Sequence, residues 1–199
     1  PRLVQQDIDA RFIAFTNNTV VNMNFAIHNA LYGKTEFPFV TGERVMFNEM
    51  YAHKQGKNKG YDFRNNQECT VLNARWSEED ENVILVALKT IEDNVLIENV
   101  PVHLNPAQIE AQVKNLFNRY FSSNKRDKTA LEEAWRLKTK YAPLRHCYAI
   151  TVAKSQGSTY DVAFIDVNDL QRIRNDYTFN RALYVAVTRP RDMVILNYI

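Results

Sequence analysis

The sequence predicts an α/β fold, a parallel sheet with helices on both faces, interrupted by a small antiparallel β unit. Three observations carry this. Apolar, β-branched runs at 11–16, 148–153, 162–167 and 193–196 have the length and composition of buried strands. Helical patterns, with apolar residues three and four apart, follow the first run and precede the last. Between these, from about Phe37 to Pro101, short β-rich runs separated by polar turns replace the alternation.

A length of 199 residues suits one large domain or a domain with an insertion. At 45% hydrophobic and 12% aromatic, the chain can build a sizeable core, and five glycines and six prolines argue against long disordered linkers. A net charge of +2 neither demands nor excludes a nucleic acid, because a groove can be locally basic. Cys69 and Cys147 lack CxxC spacing and suggest a reduced, intracellular protein. His28, His53, His103 and His146 form no ligand pattern, so no metal is expected on them. No apolar run approaches the roughly 20 residues of a membrane span, and there is no leader, so a soluble cytoplasmic protein with no membrane partner is expected. The chain starts at Pro1, which suggests a fragment or a processed product.

In order, the run RFIAFT ends at Asn17, Asn18 and Thr19, all good helix caps. Val20, Met23, Ile27 and Leu31 then mark an amphipathic helix, and Gly33 stops it. Gly33-Lys34-Thr35 looks like the end of a P-loop. That motif needs glycine at position 28, where His28 stands, and must precede its helix, so the tripeptide reads as a helix stop. GERVMFN, CTVLNARW, NVILVALKT and NVLIENVPV are the strands of a small antiparallel barrel. One of its loops interleaves Lys54, Lys57, Lys59 and Arg64 with Tyr61 and Phe63. That pattern fits either a solvated hairpin tip or a track on which bases stack. Asn105-Pro106-Ala107-Gln108 opens a helix with a cap, a first-turn proline and a capping-box glutamine. A second helix follows to about Lys140, the pair connecting barrel to sheet.

The chemistry concentrates in the last sixty residues. Tyr148 to Asp161, YAITVAKSQGSTYD, starts as a strand and breaks into Lys154, Ser155, Gln156 and Gly157 at its carboxyl end, the edge where open α/β sheets bind ligands. A later helix is expected from a cap at Thr178, burying Phe179, Leu183, Ala186 and Val187, with Tyr184 packed against the sheet. It ends at Thr188-Arg189-Pro190-Arg191. Arg189 fits a helix-terminal cation favoured by the macrodipole, or a guanidinium that stabilises charge on a phosphoryl group. Thr16, Asn17, Thr151 and Lys154 offer hydroxyl, amide and ammonium donors to a nucleic acid backbone. The two polar termini are expected at matching edges of one sheet.

ITVAKSQGSTYD is similar to motif V of superfamily 1 helicases, and ALYVAVTRPR looks like their motif VI. RFIAFTNNTVVNMN resembles the motif IV region of the RecD-like and Dda-type branch, which includes phage enzymes and moves 5′ to 3′ on single-stranded DNA. The resemblance spans nearly the whole chain. It implies a second RecA-like helicase domain, of P-loop NTPase type, at residues 1–35 and 103–199, with an SH3-like β-barrel inserted at 36–102. It implies ATP and Mg²⁺ as cofactors of the intact enzyme. The implied partners are single-stranded DNA and the amino-terminal RecA-like half of the same protein, in a bacterial or phage-infected cell. Arg189 would then be the arginine finger, Gln156, Gly157 and Asp161 would lie against the nucleotide, and Thr16, Asn17, Thr151 and Lys154 against DNA. The chain departs from the family at Ala153, where histidine is usual, and at Pro190, where a small residue is usual.

No P-loop, acidic Mg²⁺ motif or preceding glutamine motif occurs in these 199 residues, so the chain alone is expected to be inactive as an ATPase. Two further readings stay open at this point: a non-catalytic nucleic-acid-binding adaptor derived from a helicase, and half of a viral-type RNA helicase.

Overall fold

The computed structural model of the chain describes residues 2–6, 8–55 and 59–197. The chain divides into two compact units, Pro1–Thr35 with His146–Ile199, and Glu36–Arg145. The first opens with α1 (Arg2–Gln5), β1 (Ala10–Ala14) and α2 (Asn17–Tyr32). The second holds β2 (Arg44–Phe47), β3 (Tyr51–Gln55), β4 (Lys59–Phe63), β5 (Glu68–Trp76), β6 (Val83–Thr90) and β7 (Leu96–His103), then α3 (Pro106–Ser122) and α4 (Lys128–Lys140). β8 (Leu144–His146) leads back to the first unit, which continues as β9 (Ala149–Thr151), α5 (Val152–Ser155), β10 (Tyr160–Asp166), α6 (Val167–Leu170), α7 (Asp176–Val187) and β11 (Pro190–Asn197). Among the described residues no helix is long and apolar enough to cross a membrane.

In the first unit β1 pairs in parallel with β9 on one side and β10 on the other, and β10 pairs in parallel with β11. The order β11-β10-β1-β9 is the parallel sheet expected from the apolar runs. Phe12, Ala14 and Ala149 turn to α2, where they meet Val20 and Met23. Ile13 and Ile165 face the other way by the two-residue strand period and are fully buried, on the side where α5, α6 and α7 contact β1 and β10. Helices therefore cover both faces.

The cap of α2 is Thr16, one residue before the expected run. Its backbone is extended and its hydroxyl accepts the Thr19 N–H at 3.2 Å. Gly33, at φ 69°, ends the helix with its N–H on the Asn29 carbonyl, so Gly33-Lys34-Thr35 does follow a helix. Asn24 lies on the buried side of α2, where periodicity alone would place an apolar residue. Its side-chain amide donates to the Ala149 carbonyl at 2.9 Å and accepts the Ala149 N–H at 2.8 Å. It thus satisfies both backbone groups on the open side of edge strand β9.

The second unit contains a five-stranded sheet, order β7-β6-β5-β2-β8, and a separate β3–β4 hairpin. β2 with β5, β5 with β6, and β6 with β7 are antiparallel, as are β3 with β4. The hairpin occupies the stretch expected to be a basic, aromatic loop. Phe63 is 1% exposed and stacks on Phe47 with ring centroids 3.9 Å apart. Tyr61 donates its hydroxyl proton to Asp93 at 3.2 Å and accepts from the Gln67 amide at 2.7 Å. Both rings build the fold, so the stacking-track alternative fails for them; Lys57 lies outside the described residues.

The segment 103–145 packs with this β unit, whereas the sequence reading places it with the parallel sheet. The Ala142 N–H bonds the Pro101 carbonyl at 2.8 Å, and the Asn48 N–H bonds the Pro143 carbonyl at 2.8 Å. The Tyr51 hydroxyl reaches the Lys140 carbonyl at 3.4 Å. The apolar stripe of α3 announces a helix, but not which sheet it serves.

Replacing Phe63 with alanine is expected to lower the unfolding free energy by about 3–5 kcal/mol, measured by denaturant titration of the chain. A loss below about 1 kcal/mol would contradict the buried placement of this ring.

Candidate functional site

β1 and β9 end side by side, with Ala14 opposite Thr151, so the residues that follow share the carboxyl edge of the sheet. Thr151, 8% exposed, caps α5 by accepting the Lys154 N–H at 3.3 Å. Asn17, Thr151 and Lys154 line one open cavity of about 560 Å³, with Phe15, Ala153 and Arg181 also in its wall. Thr16 is next to them in the chain, but its hydroxyl is turned inward. It accepts the Thr19 N–H and donates to Asp169 Oδ1 at 3.2 Å. Three of the four residues expected against DNA therefore share a cavity, and the fourth shapes its rim.

The group that fixes this rim is Asp169, which the sequence reading missed. It is 4% exposed. Its Oδ2 accepts the Phe15 N–H at 2.8 Å and the Thr16 N–H at 2.7 Å, and its Oδ1 accepts the Thr19 hydroxyl at 2.9 Å. Arg172 approaches Oδ1 at 3.1 Å. Burial pushes the Asp169 carboxyl up, but the bonds from the Thr16 N–H, the Thr19 hydroxyl, the Phe15 N–H and the Thr16 hydroxyl outweigh it and hold the group below its ordinary range. Its only trace in the sequence is its position three residues after Asp166, which caps α6 by accepting the Asp169 N–H at 3.1 Å.

Arg189 and Asp161 lie at the opposite edge. Tyr160 pairs with Pro190 where β10 and β11 begin. The seven residues of β10, at about 3.3 Å each, put roughly 20 Å between the two edges. The end of β9 at Thr151 and the start of β11 at Pro190 therefore lie at opposite edges, and only the connection after Lys154 reaches Arg189. A chain leaving one parallel strand must run back across the sheet to start the next, and residues 152–159 make that run. Gly157 turns it at φ 88°, a left-handed conformation that glycine tolerates.

At this amino edge Arg189 is half-buried against the same connection. Its Nε donates to the Val185 carbonyl at 3.0 Å, Nη2 to the Thr188 hydroxyl at 3.0 Å, and Nη1 to the Ser158 carbonyl at 3.4 Å. Arg189 therefore meets the loop that carries the exposed Gln156 and Gly157. Asp161 sits within β10, where its carboxylate accepts the Asp9 N–H at 3.0 Å and pairs with Arg191 at 2.9 Å.

Two details of α7 differ from the sequence reading. Asn175 is the cap, accepting the Thr178 N–H at 2.9 Å, so Thr178 lies inside the first turn. Tyr184 is 69% exposed instead of packed on the sheet, and Tyr177 is 71% exposed. Ala186 takes the buried side, with Phe179 and Leu183 half-buried.

This geometry can be set beside known proteins. Residues 146–196, which contain the crossover, α7 and β11, match the UvrD-like helicase C-terminal domain family. The motif resemblance to superfamily 1 helicases is met by that independent match. An uncharacterised protein of Acanthamoeba polyphaga mimivirus is 30% identical over 89 residues, 42% of this chain and 17% of that protein. The Pif1 helicase of Candida albicans superposes at a TM-score of 0.50 and 12% identity, covering 96% of this chain and 46% of that one. A Bacteroides Pif1 helicase solved with ADP-AlF3 and single-stranded DNA gives 0.46 and 18%, over 96% of this chain and 41% of that one. The chain spans less than half the length of either helicase.

Asp169→Asn is expected to destabilise the chain by about 1–3 kcal/mol at pH 7, because an amide oxygen turned to the two N–H groups leaves the NH2 facing Arg172 and hydroxyls that donate to Oδ1 in the native chain. A carboxyl whose folded pKa is depressed contributes stability above its unfolded pKa and loses it as pH falls through the folded value. The gap between wild type and variant in denaturant titrations should therefore narrow below about pH 4. A gap that stays constant into strong acid would contradict this role.

Proposed function

We propose that this chain is the second RecA-like half of an ATP-dependent DNA helicase, supplying a strand-binding edge and an arginine finger. The observation that carries it is the 152–159 crossover. It starts at Thr151 and Lys154, beside the carboxyl-edge cavity, and ends against Arg189 at the amino edge. Strand contact at one edge and phosphate contact at the other are thereby joined by fewer than ten residues of backbone.

The chemistry of Arg189 suits this role. Its guanidinium now rests on neutral carbonyl and hydroxyl oxygens, and an anionic phosphoryl oxygen would form stronger, charge-assisted bonds to the same fork. ATP, when bound, supplies the phosphoryl group whose departing charge Arg189 would stabilise. Asp161 at this edge is already paired with Arg191 and the Asp9 N–H. The residues here fit the phosphate side of a nucleotide and not its Mg²⁺. In this reading the phosphate cradle and the Mg²⁺ ligands belong to an amino-terminal RecA-like half of the same protein. The β unit is the SH3-like insertion of the 5′-to-3′ branch, the strand is DNA, and the protein works in the cytoplasm.

The 199-residue chain is expected to show negligible ATP turnover, while still binding an oligodeoxynucleotide more tightly than an oligoribonucleotide of equal length at matched salt. In the intact protein, Arg189→Ala should slow hydrolysis by roughly 10³–10⁵-fold without abolishing strand binding. Robust turnover by the chain alone, lost in Arg189→Ala, would overturn this division of labour. Equal or tighter binding of the oligoribonucleotide would favour an RNA helicase half.

A further inference from the structure

We propose that Arg181 and Phe15 complete a subsite for one nucleotide unit of the bound strand, with a phosphodiester held between Arg181 and Lys154 and a base laid on Phe15. This rests on the strand-binding reading above; it adds Arg181, which lies outside the motif segments, and gives a role to Phe15 within the motif IV region.

The carboxyl-edge cavity has an uneven chemistry. The charged residues in its wall are Lys154 and Arg181, both cations, and no carboxylate lines it. Asn17, Thr151 and Thr178 add polar groups, while Phe15, Val152 and Ile173 make an apolar wall. A purely apolar ligand would cover the Arg181 guanidinium without compensating it, which costs free energy. A small inorganic anion would leave the apolar wall wet. A nucleotide unit carries one negative phosphodiester and one flat, largely apolar ring, and it matches both halves of the cavity.

The two added residues are poised for these roles. Phe15 is 42% exposed at the end of β1, and its own N–H is tied to Asp169 at 2.8 Å, so the backbone beneath the ring is fixed. Arg181 is exposed on α7, with its guanidinium 5.7 Å from the Tyr177 ring centroid. That contact orders the side chain, and among the described residues no carboxylate pairs with it. Ala153, also in the wall, adds only a methyl group. Arg181 lies in the middle of α7, and Arg189 follows two residues after the helix ends at Val187.

The test is fluorescence-anisotropy titration of the 199-residue chain with labelled oligothymidylate at several salt concentrations. Arg181→Ala should weaken binding about tenfold and reduce the slope of log K against log salt by about one, and Arg181→Lys should restore the slope. Phe15→Ala should weaken binding about tenfold with the slope unchanged, as expected of lost stacking. Thermal melts followed by circular dichroism should match wild type for Arg181→Ala, since the residue is exposed. If Lys154→Ala weakens binding while Arg181→Ala and Phe15→Ala bind as wild type does, the subsite is overturned and the strand-binding edge stands. If the wild-type chain does not bind, or Lys154→Ala binds unchanged, the edge itself is overturned and the subsite falls with it.

Discussion

Parallel pairing of β1 with both β9 and β10 is the constraint on which the rest of the first unit depends. Parallel strands gather their carboxyl ends at one edge and their amino ends at the other, and every connection must cross between them. Thr16, Asn17, Thr151 and Lys154 consequently fall at one edge, while Asp161 and Arg189 fall at the other. The separation is a property of the topology, not of any one side chain. It makes a single crossover the shortest covalent link between the two edges.

That arrangement has to be held at its ends, and two buried polar side chains do so. Asn24 satisfies both backbone groups of Ala149 on β9, which has no further strand beside it among the described residues. Asp169 gathers two backbone N–H groups and two hydroxyls from the turn between β1 and α2. Each resolves the same problem, a strand end whose donors would otherwise be buried or left to water. Because both act over long sequence separations, they fasten the early segment of the unit to the late one across the inserted β unit. The cavity wall at Phe15 inherits its position from this clamp.

How much of this can be read from the chain alone follows from the same physics. Ile13, Val162 and Ile165 belong to uninterrupted apolar runs, so their strands and the α/β class are legible. Gly33 as a helix stop and Asn105-Pro106 as a start are legible because capping is local chemistry. Arg189 and Gln156-Gly157 are legible as a pair through motif likeness, and Arg189 bonds the carbonyl of Ser158, the residue that follows them. Asp169 and Asn24 are not legible, since a buried polar residue reveals itself only through partners more than a hundred residues away. Phe63 and Tyr61 mislead for a related reason: alternation with lysines looks like an exposed track, yet in a hairpin every second residue turns inward. Tyr184 misleads in the opposite sense, being apolar in character but set on the outer side of α7.

The central claim is that strand contact and nucleotide contact occupy opposite edges of one parallel sheet. Hydrogen–deuterium exchange of the chain with and without a saturating oligodeoxynucleotide tests it most directly. Protection is expected in peptides covering residues 14–19, 151–154 and 178–182, with 189–191 and the start of β10 unchanged. Protection centred on Asp161 and Arg189, with the carboxyl edge exchanging as in the free chain, would contradict it.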